Sequence, residues 1–194
     1  SNSFTVSMLK SMMEIYNQKK TKKILAEKAI HVERCLLKEA VGCQDQIISS
    51  YGGFNHILFN KNQTFNVDPI KMDDEQKKIF NDHLMLFYTG IQRFASDIES
   101  SKLQNASKNE IFLDNIRKLK NDALNLLSKN ILDFSMLGKL LLESWEQKKL
   151  LSNKVSLPLI DNAYNAAIEK GALGGKLLGA GGGGFFMFYC EPTK

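Results

Sequence analysis

Apolar residues recur at helical spacing through most of the chain, and this pattern predicts a helix-rich protein. At the start, a capping cluster at residues 1–3 precedes four apolar residues that share one helical face: Phe4, Met8, Met12 and Ile15. A second helix is predicted over Ile24–Lys38, with four residues on its inner side: Leu25, Ala29, Val32 and Leu36. Gly42 ends this helix, and a short third helix is predicted from Gln44 to the stop signal at Gly52 and Gly53.

After the third helix, the pattern mixes short strands with further helices. Alternating residues on both sides of a turn at residues 60–62 predict two strands, Phe54–Asn60 and Gln63–Ile70. The later elements are predicted as helices Asp73–His83, Ile91–Ser101, Glu110–Lys129, Ile131–Leu151 and Pro158–Lys170, and as strands Leu84–Thr89, Gly175–Leu178 and Phe185–Cys190. Together these elements predict a helix-rich α+β fold with a few antiparallel strands.

Composition narrows the class of protein. Of the 194 residues, 43% are hydrophobic and 24% charged, as in an ordinary globular protein, and no apolar stretch approaches the ~18 residues of a membrane span. Three cysteines without metal-ligand spacing argue against a disulfide framework and favour a reducing cytoplasm. The net charge of +5 comes from lysines scattered among acids, without interleaved aromatic residues that would stack bases. We therefore expect a small anionic ligand, and neither nucleic acid nor a membrane as partner.

A glycine cluster near the C-terminus is the most informative feature of the sequence. Five of the six residues from Gly179 to Gly184 are glycine, the exception being Ala180, and an apolar strand follows at once. Such a cluster is explained by positive φ angles or by close approach of another backbone or of a phosphate group. A tight hairpin between two strands and a turn that presents backbone N–H groups to an anion both fit this pattern.

Two acids before the first strand are candidates for chemistry. Glu33 lies on the second predicted helix, and Asp45 follows the glycine break near the start of the third, where the helix dipole favours an ionised carboxylate. An ionised aspartate can accept a proton from a substrate hydroxyl, and a second carboxylate can hold Mg²⁺. The alternative is that Asp45 is only a helix N-cap and Glu33 only a surface residue.

Three separated motifs, read in order, resemble the GHMP kinase superfamily, which includes galactokinase, homoserine kinase, mevalonate kinase and phosphomevalonate kinase. They are GCQDQ at residues 42–46, YGGFN at residues 51–55 and KLLGAGGGGF at residues 176–185. Within the superfamily, the chain is most similar to the D-glycero-D-manno-heptose 7-phosphate kinases, whose sequences also resemble YTGIQRFAS at residues 88–96.

The resemblance implies a two-lobe kinase fold. It assigns residues 1–70 to the C-terminal part of an N-terminal lobe that binds ATP and carries out catalysis. It assigns residues 71–194 to a ferredoxin-like C-terminal domain with the glycine-rich motif. The phosphate-binding loop that opens this family's sequences has no counterpart here, so we expect the chain to be an incomplete and inactive part of a longer kinase.

The resemblance also implies roles for individual residues. Asp45 matches the catalytic base, and Glu33 matches a ligand of Mg²⁺, with Ser1 or Ser3 as a further ligand. Four glycines match the motif that supports the phosphate loop: Gly179, Gly181, Gly182 and Gly183. Arg93 and Thr89 are candidates for contacting the sugar phosphate, since a guanidinium binds phosphate through two hydrogen bonds.

The implied function is transfer of a phosphoryl group from ATP, with Mg²⁺, to the anomeric hydroxyl of D-glycero-D-manno-heptose 7-phosphate. The implied partners are ATP and the sugar phosphate, with a homodimer as a possible assembly. Two alternatives stay open at this point. One is a fucokinase-like or galactokinase-like enzyme of another specificity, and the other is a non-catalytic module for ligand binding or oligomerisation.

Overall fold

The computed structural model describes residues 2–19, 21–39, 41–92, 95–104, 108–128 and 133–192. The chain divides into two compact units, Ser1–Ile70 and Lys71–Lys194. None of the helices in the described ranges is both long and apolar enough to cross a membrane. That the first unit belongs to a catalytic lobe of a kinase stays a prediction.

The first unit packs three helices and a hairpin around two small apolar clusters. Its elements are α1 (Asn2–Ile15), α2 (Lys22–His31), a π turn (Val32–Leu36), α3 (Gln44–Tyr51), β1 (Asn55–Phe59) and β2 (Phe65–Pro69). Strands β1 and β2 pair in antiparallel register. One cluster joins α1 to α2 through Val6 and Leu25, and the other joins α2, α3 and β2 through Ala26, Ile47 and Phe65.

Helix α1 forms as predicted, but the prediction of which of its residues face inward is wrong. All four residues assigned to that face are exposed: Phe4, Met8, Met12 and Ile15. The residues that pack on α2 are Val6 and Met13 instead, with Leu9 partly buried between them. The helix carries two apolar stripes, and helical spacing alone does not determine which stripe meets a neighbour.

The second helix changes its geometry at the π turn. The N–H of Leu37 donates to the carbonyl oxygen of Val32, five residues earlier, at 2.9 Å. One extra residue in a turn rotates the following side chains by about 100° relative to a continuing α-helix. Leu36, predicted to face inward, is therefore 63% exposed, whereas Glu33 continues the buried face of Ala29 and is 2% exposed.

The second unit is built on a three-stranded antiparallel sheet in the order β3-β5-β4. Its elements are α4 (Asp74–Asp82), β3 (Leu84–Tyr88), α5 (Ala95–Gln104), α6 (Glu110–Leu127), α7 (Phe134–Lys149), α8 (Pro158–Glu169), β4 (Ala172–Leu177) and β5 (Phe185–Cys190). Asp73 and Gln76 form a capping box at the start of α4, and Pro158 stands at the first turn of α8 as predicted. The helix-rich α+β class is confirmed.

The core of the second unit lies between the sheet and helices α5, α7 and α8. Trp145 on α7 is fully buried, and its ring contacts Tyr164 on α8 and Phe186 on β5. Tyr164 also donates a hydrogen bond to the carbonyl oxygen of Gly175 on β4, at 3.1 Å. This aromatic cluster holds α7 and α8 on the strands that flank the glycine cluster.

Helix α7 and strand β4 touch backbone to backbone. A Cβ atom at Gly174 would overlap the carbonyl oxygen of Gly138, and a Cβ atom at Gly138 would lie 2.5 Å from the Cβ of Leu173. Both positions therefore lack room for any side chain. Two glycines allow the helix to approach the strand this closely, which fixes the position of α7 over β4.

We predict that Gly174→Ala destabilises the protein, because the new methyl group would have to push α7 away from β4. Overpacking of this kind typically costs 1–3 kcal/mol, and a clash with backbone should cost about 3 kcal/mol or more. Urea denaturation measures the loss. The matched control is Gly42→Ala, where no atom lies within 4 Å of the new Cβ. Equal stability of the two variants would show that the helix and strand have room to separate.

Candidate functional site

The glycine-rich loop, residues 178–184, connects β4 to β5. Two reasons given above for a glycine cluster, positive φ angles and the close approach of another backbone, both apply to it. Its backbone has positive φ at four positions: Gly179, Gly181, Gly182 and Gly184. It is also closely approached by other segments. A Cβ at Gly181 would lie 2.8 Å from the carbonyl oxygen of Val155, and one at Gly183 would lie 2.5 Å from that of Ile91. Glycine is therefore required here both by conformation and by space.

Hydrogen bonds tie the far end of the loop to two neighbouring segments. The N–H of Gly182 donates to Val155 at 2.7 Å, and the N–H of Gly184 donates to Ile91 at 3.0 Å. Thr89 donates to the carbonyl oxygen of Gly184 from both its backbone N–H and its hydroxyl, at 2.8 and 2.9 Å. The hydroxyl of Thr89 also accepts from the N–H of Ile91 at 3.2 Å. Thr89 therefore helps to hold the loop, and a contact with substrate stays a prediction.

Two lysines hold the near end of the loop. The ammonium group of Lys148, at the end of α7, donates to the carbonyl oxygens of Leu177 and Gly179 at 2.8 and 2.6 Å. Lys102 on α5 donates to the carbonyl oxygen of Ala180 at 2.7 Å and to Glu99 at 2.9 Å. We call these two residues the lysine clamp.

The clamp lies in an unusually cationic environment. Burial, then the nearby charges of Lys176 and Lys102, lower the pKa of Lys148 to about 7, and Glu99 partly opposes this shift. Burial and then Lys102 also lower the pKa of Lys176. Three amino groups thus share the space behind the loop with one carboxylate, and an anion on the loop would be attracted to them.

The loop forms one wall of an open cleft of about 940 Å³. Strand β3 contributes Leu86 and Tyr88, β5 contributes Phe185, and Gln92 lies at the rim. The cleft therefore combines an apolar wall with backbone N–H groups of the loop. Such a combination suits a ligand that has both an anionic group and a less polar body.

The first unit contains a buried carboxylate with no cation beside it. Glu33 accepts a hydrogen bond from the side-chain amide of Gln46, which is itself fully buried. No Lys, Arg or His in the described part of the chain forms an ion pair with Glu33. A buried charge is costly unless it is paired or coordinates a metal, so Glu33 suits a bound cation.

Asp45 lies in the first turn of α3, immediately before Gln46, and is exposed. The N-cap of α3 is Cys43, and no side chain caps the helix. The structural alternative weighed from the sequence is therefore wrong in both parts, because Asp45 is not an N-cap and Glu33 is not a surface residue. Gln46 connects the two acids, since it follows one in the chain and donates to the other.

Three further residues were predicted to belong to the site: Ser1, Ser3 and Arg93. Ser3 is exposed on α1, where its hydroxyl lies 3.2 Å from that of Ser49, and no contact joins it to Glu33 in the described residues. Ser1 and Arg93 lie outside the described residues. No group of three or more His, Cys, Asp or Glu in the described ranges could hold a metal ion by itself. A magnesium site here would therefore use few protein ligands, as is usual when phosphate and water complete the shell.

Sequence reasoning missed three residues that the structure brings to these sites: Gln46, Lys102 and Lys148. Gln46 stands inside the quoted motif GCQDQ, and its position beside Asp45 could have identified it. The two lysines gave no signal, because neither lies in a recognised motif: Lys102 is the single lysine of α5, and Lys148 stands beside Lys149 at the end of α7. Their role depends on the distance between helix and loop.

Comparison with known proteins gives a consistent picture. Residues 116–194 match the family model described as GHMP kinases C terminal. Over its whole length, the chain is 34% identical to a D-glycero-alpha-D-manno-heptose 7-phosphate kinase of Campylobacter jejuni, of which it covers 57%. Over 122 residues, 59% of the chain, it is 33% identical to an L-fucokinase/L-fucose-1-P guanylyltransferase of Bacteroides fragilis, of which it covers 12%.

A solved structure extends the similarity to the fold. The chain superposes on a D-glycero-D-manno-heptose 1-phosphate kinase from Bacteroides thetaiotaomicron with a TM-score of 0.70 and 26% identity. That alignment covers 99% of this chain and 52% of the other. The chain thus spans about half the length of the heptose-phosphate kinases that it matches. The predicted resemblance to GHMP kinases is confirmed.

We predict that Lys148 makes stability depend on pH. Its pKa is about 7 in the folded protein against an ordinary 10.5, so between these values the unfolded chain binds the additional proton. The free energy of unfolding that Lys148 contributes therefore rises as pH increases from about 7. Urea denaturation at pH 7, 8 and 9 should show the stability of the native protein rising relative to that of Lys148→Met. If the difference in the free energy of unfolding between the native protein and Lys148→Met stayed constant over this pH range, the lowered pKa would be contradicted.

Proposed function

Since residues 116–194 match the GHMP kinases C terminal family model, we propose that the protein is an ATP-dependent sugar kinase. The proposed acceptor is the anomeric hydroxyl of a heptose 7-phosphate, which the 34% identity to the Campylobacter jejuni enzyme supports. The observation that carries the proposal is in the first unit, where Gln46 joins an exposed aspartate to a buried glutamate that forms no ion pair within the described residues. Use of ATP and Mg²⁺ in the cytoplasm, and a homodimer, belong to the same proposal.

Asp45 is the proposed base. It stands in the first turn of α3 and is exposed, so a substrate hydroxyl can reach its carboxylate. In the proposed reaction, the proton of the sugar hydroxyl moves to the carboxylate of Asp45 while the hydroxyl oxygen forms a bond to the terminal phosphorus of ATP, and ADP leaves. General-base help of this kind contributes on the order of 10²–10⁴-fold in rate.

Glu33 is the proposed protein ligand of Mg²⁺, with the amide of Gln46 holding its carboxylate in place. When bound, the metal would neutralise charge on the transferred phosphoryl group. Ser1 and Ser3 stay candidates for a further ligand. Four glycines stay candidates for supporting the phosphate loop: Gly179, Gly181, Gly182 and Gly183. Arg93 and Thr89 stay candidates for the sugar phosphate.

A second sugar substrate is also supported by a comparison. The similarity to the L-fucokinase/L-fucose-1-P guanylyltransferase covers 59% of the chain, so a fucokinase-like acceptor is the alternative substrate. The non-catalytic module is disfavoured, because a purely structural role does not explain a buried carboxylate without a cation.

We predict that the intact gene product releases ADP from Mg-ATP with a heptose 7-phosphate and that Asp45→Asn lowers turnover by about 10²-fold or more, with the fold unchanged. The matched control is Asp122→Asn, at an exposed position on α6. The panel of acceptors includes L-fucose, galactose and several sugar phosphates. Turnover on another sugar would keep the mechanism and change the substrate. A folded protein that is silent on the whole panel would favour a binding module.

Glu33→Gln tests the proposed metal ligand without relying on activity. In the presence of ADP, Mg²⁺ should raise the melting temperature of the native protein, because a ligand that binds the folded state stabilises it. The variant removes the charge and keeps the shape, so it should gain little from Mg²⁺ and should be at least as stable without it. Glu39→Gln, at a nearby exposed position, is the control. An unchanged response to Mg²⁺ in Glu33→Gln would remove Glu33 from the metal site.

A further inference from the structure

Three carbonyl groups at the end of β4 and the start of the glycine-rich loop accept hydrogen bonds from lysines. Lys148 binds the oxygens of Leu177 and Gly179, and Lys102 binds that of Ala180. The donors come from two different helices, α7 and α5, and both side chains are largely buried. The lysine clamp therefore holds the loop at Gly179 and Ala180 and the end of β4 at Leu177.

The clamp determines where two backbone N–H groups point. In a trans peptide the carbonyl and the following N–H are antiparallel, so a carbonyl held by a lysine directs the next N–H away from it. The bonds to Gly179 and Ala180 therefore aim the N–H groups of Ala180 and Gly181 away from the lysines. Neither N–H donates to an acceptor within the described residues, whereas those of Gly182 and Gly184 do. Two successive N–H groups directed the same way form a binding site for an anion.

Glycine makes such a clamp necessary. A glycine residue adopts positive and negative φ about equally, so the peptide groups of this loop have little intrinsic preference for one orientation. Preorganised donors bind better than donors that must be ordered when the ligand arrives, because the ordering cost is avoided. A clamp on the carbonyl side restricts the peptides and leaves the N–H side accessible.

Charge adds to this arrangement. Lys176 lies close enough to Lys148 to lower its pKa, and Glu99 is the carboxylate that faces the same group from α5. Three amino groups against one carboxylate leave an excess of positive charge behind the loop. An anion in front of the loop would be attracted by that charge without contacting any lysine.

We propose that Lys148 is a positioning residue of the phosphoryl-transfer site, which orients the N–H groups of Ala180 and Gly181 toward a phosphate of the nucleotide, with Lys102 as the second member of the clamp. This inference rests on the proposed function for the identity of the ligand. The clamp itself is a property of the second unit alone.

The test uses Lys148→Met in the intact gene product, a change that keeps most of the side-chain volume and removes the donors. Hydrogen exchange measured by mass spectrometry should accelerate at least tenfold in a peptide that spans residues 176–185. The dissociation constant for Mg-ATP, measured by calorimetry, should rise at least tenfold. Lys149→Met is the matched control, because Lys149 binds Glu146 and not the loop. It should leave both quantities unchanged.

Lys102→Met provides a second test, which decides the matter if Lys148→Met does not fold. It removes only the bond to Ala180, so we expect several-fold effects on loop exchange and on Mg-ATP affinity. The proposal would be overturned if a folded Lys148→Met variant, or the Lys102→Met variant, kept the loop hydrogen-exchange rate and the Mg-ATP affinity of the native protein.

The pH dependence of binding separates positioning by an ammonium group from a merely structural role. Lys148 loses its charge as pH rises above about 7, so Mg-ATP affinity of the native protein should fall several-fold between pH 6.5 and 8.5. Lys102, Lys176 and Glu99 are the charged groups that face it. Lys148→Met should lack this dependence, and retention of the full dependence would contradict the role of Lys148. If the native protein binds no ATP, the proposed function fails, and loop exchange still tests the clamp.

Discussion

The backbone contact between α7 and β4 at Gly138 and Gly174 is the constraint on which the second unit depends. It allows the helix to lie directly on the strand, which buries Trp145 and brings Lys148, at the end of the helix, within hydrogen-bonding distance of the glycine-rich loop. A side chain at either glycine would displace the helix, and the reach of one lysine would no longer suffice. The packing of the core and the geometry of the loop therefore have the same origin.

Each unit carries an imbalance of buried charge, and the two imbalances have opposite signs. In the first unit, Glu33 accepts a hydrogen bond from a neutral amide and forms no ion pair within the described residues. In the second, Lys102, Lys148 and Lys176 share one carboxylate. Uncompensated charge is costly inside a protein, and a ligand of the opposite charge relieves that cost.

The sequence predicted the class of the fold and most helices and strands, whereas the roles of the two acids of the first unit stay predictions. It succeeded where one residue type has one dominant cause, as at Asp73 and Pro158, which start helices, and in the glycine cluster. It failed where tertiary contacts decide, as on α1, whose two apolar stripes are equivalent until α2 packs on one of them. The exposure of Leu36 depends on a π turn, which no residue type marks. The lysine clamp depends on the distance between a helix and a loop, which spacing along the chain does not contain.

The loop that joins β4 to β5 is attached on several sides: to Val155, to Ile91, to Thr89 and to the lysine clamp. A segment held in this way moves with the body of its unit and has no hinge of its own, in contrast to the lids that close over substrates in many enzymes. It therefore acts as a fixed wall of the cleft. A ligand that binds this wall would therefore not wait for the loop to close.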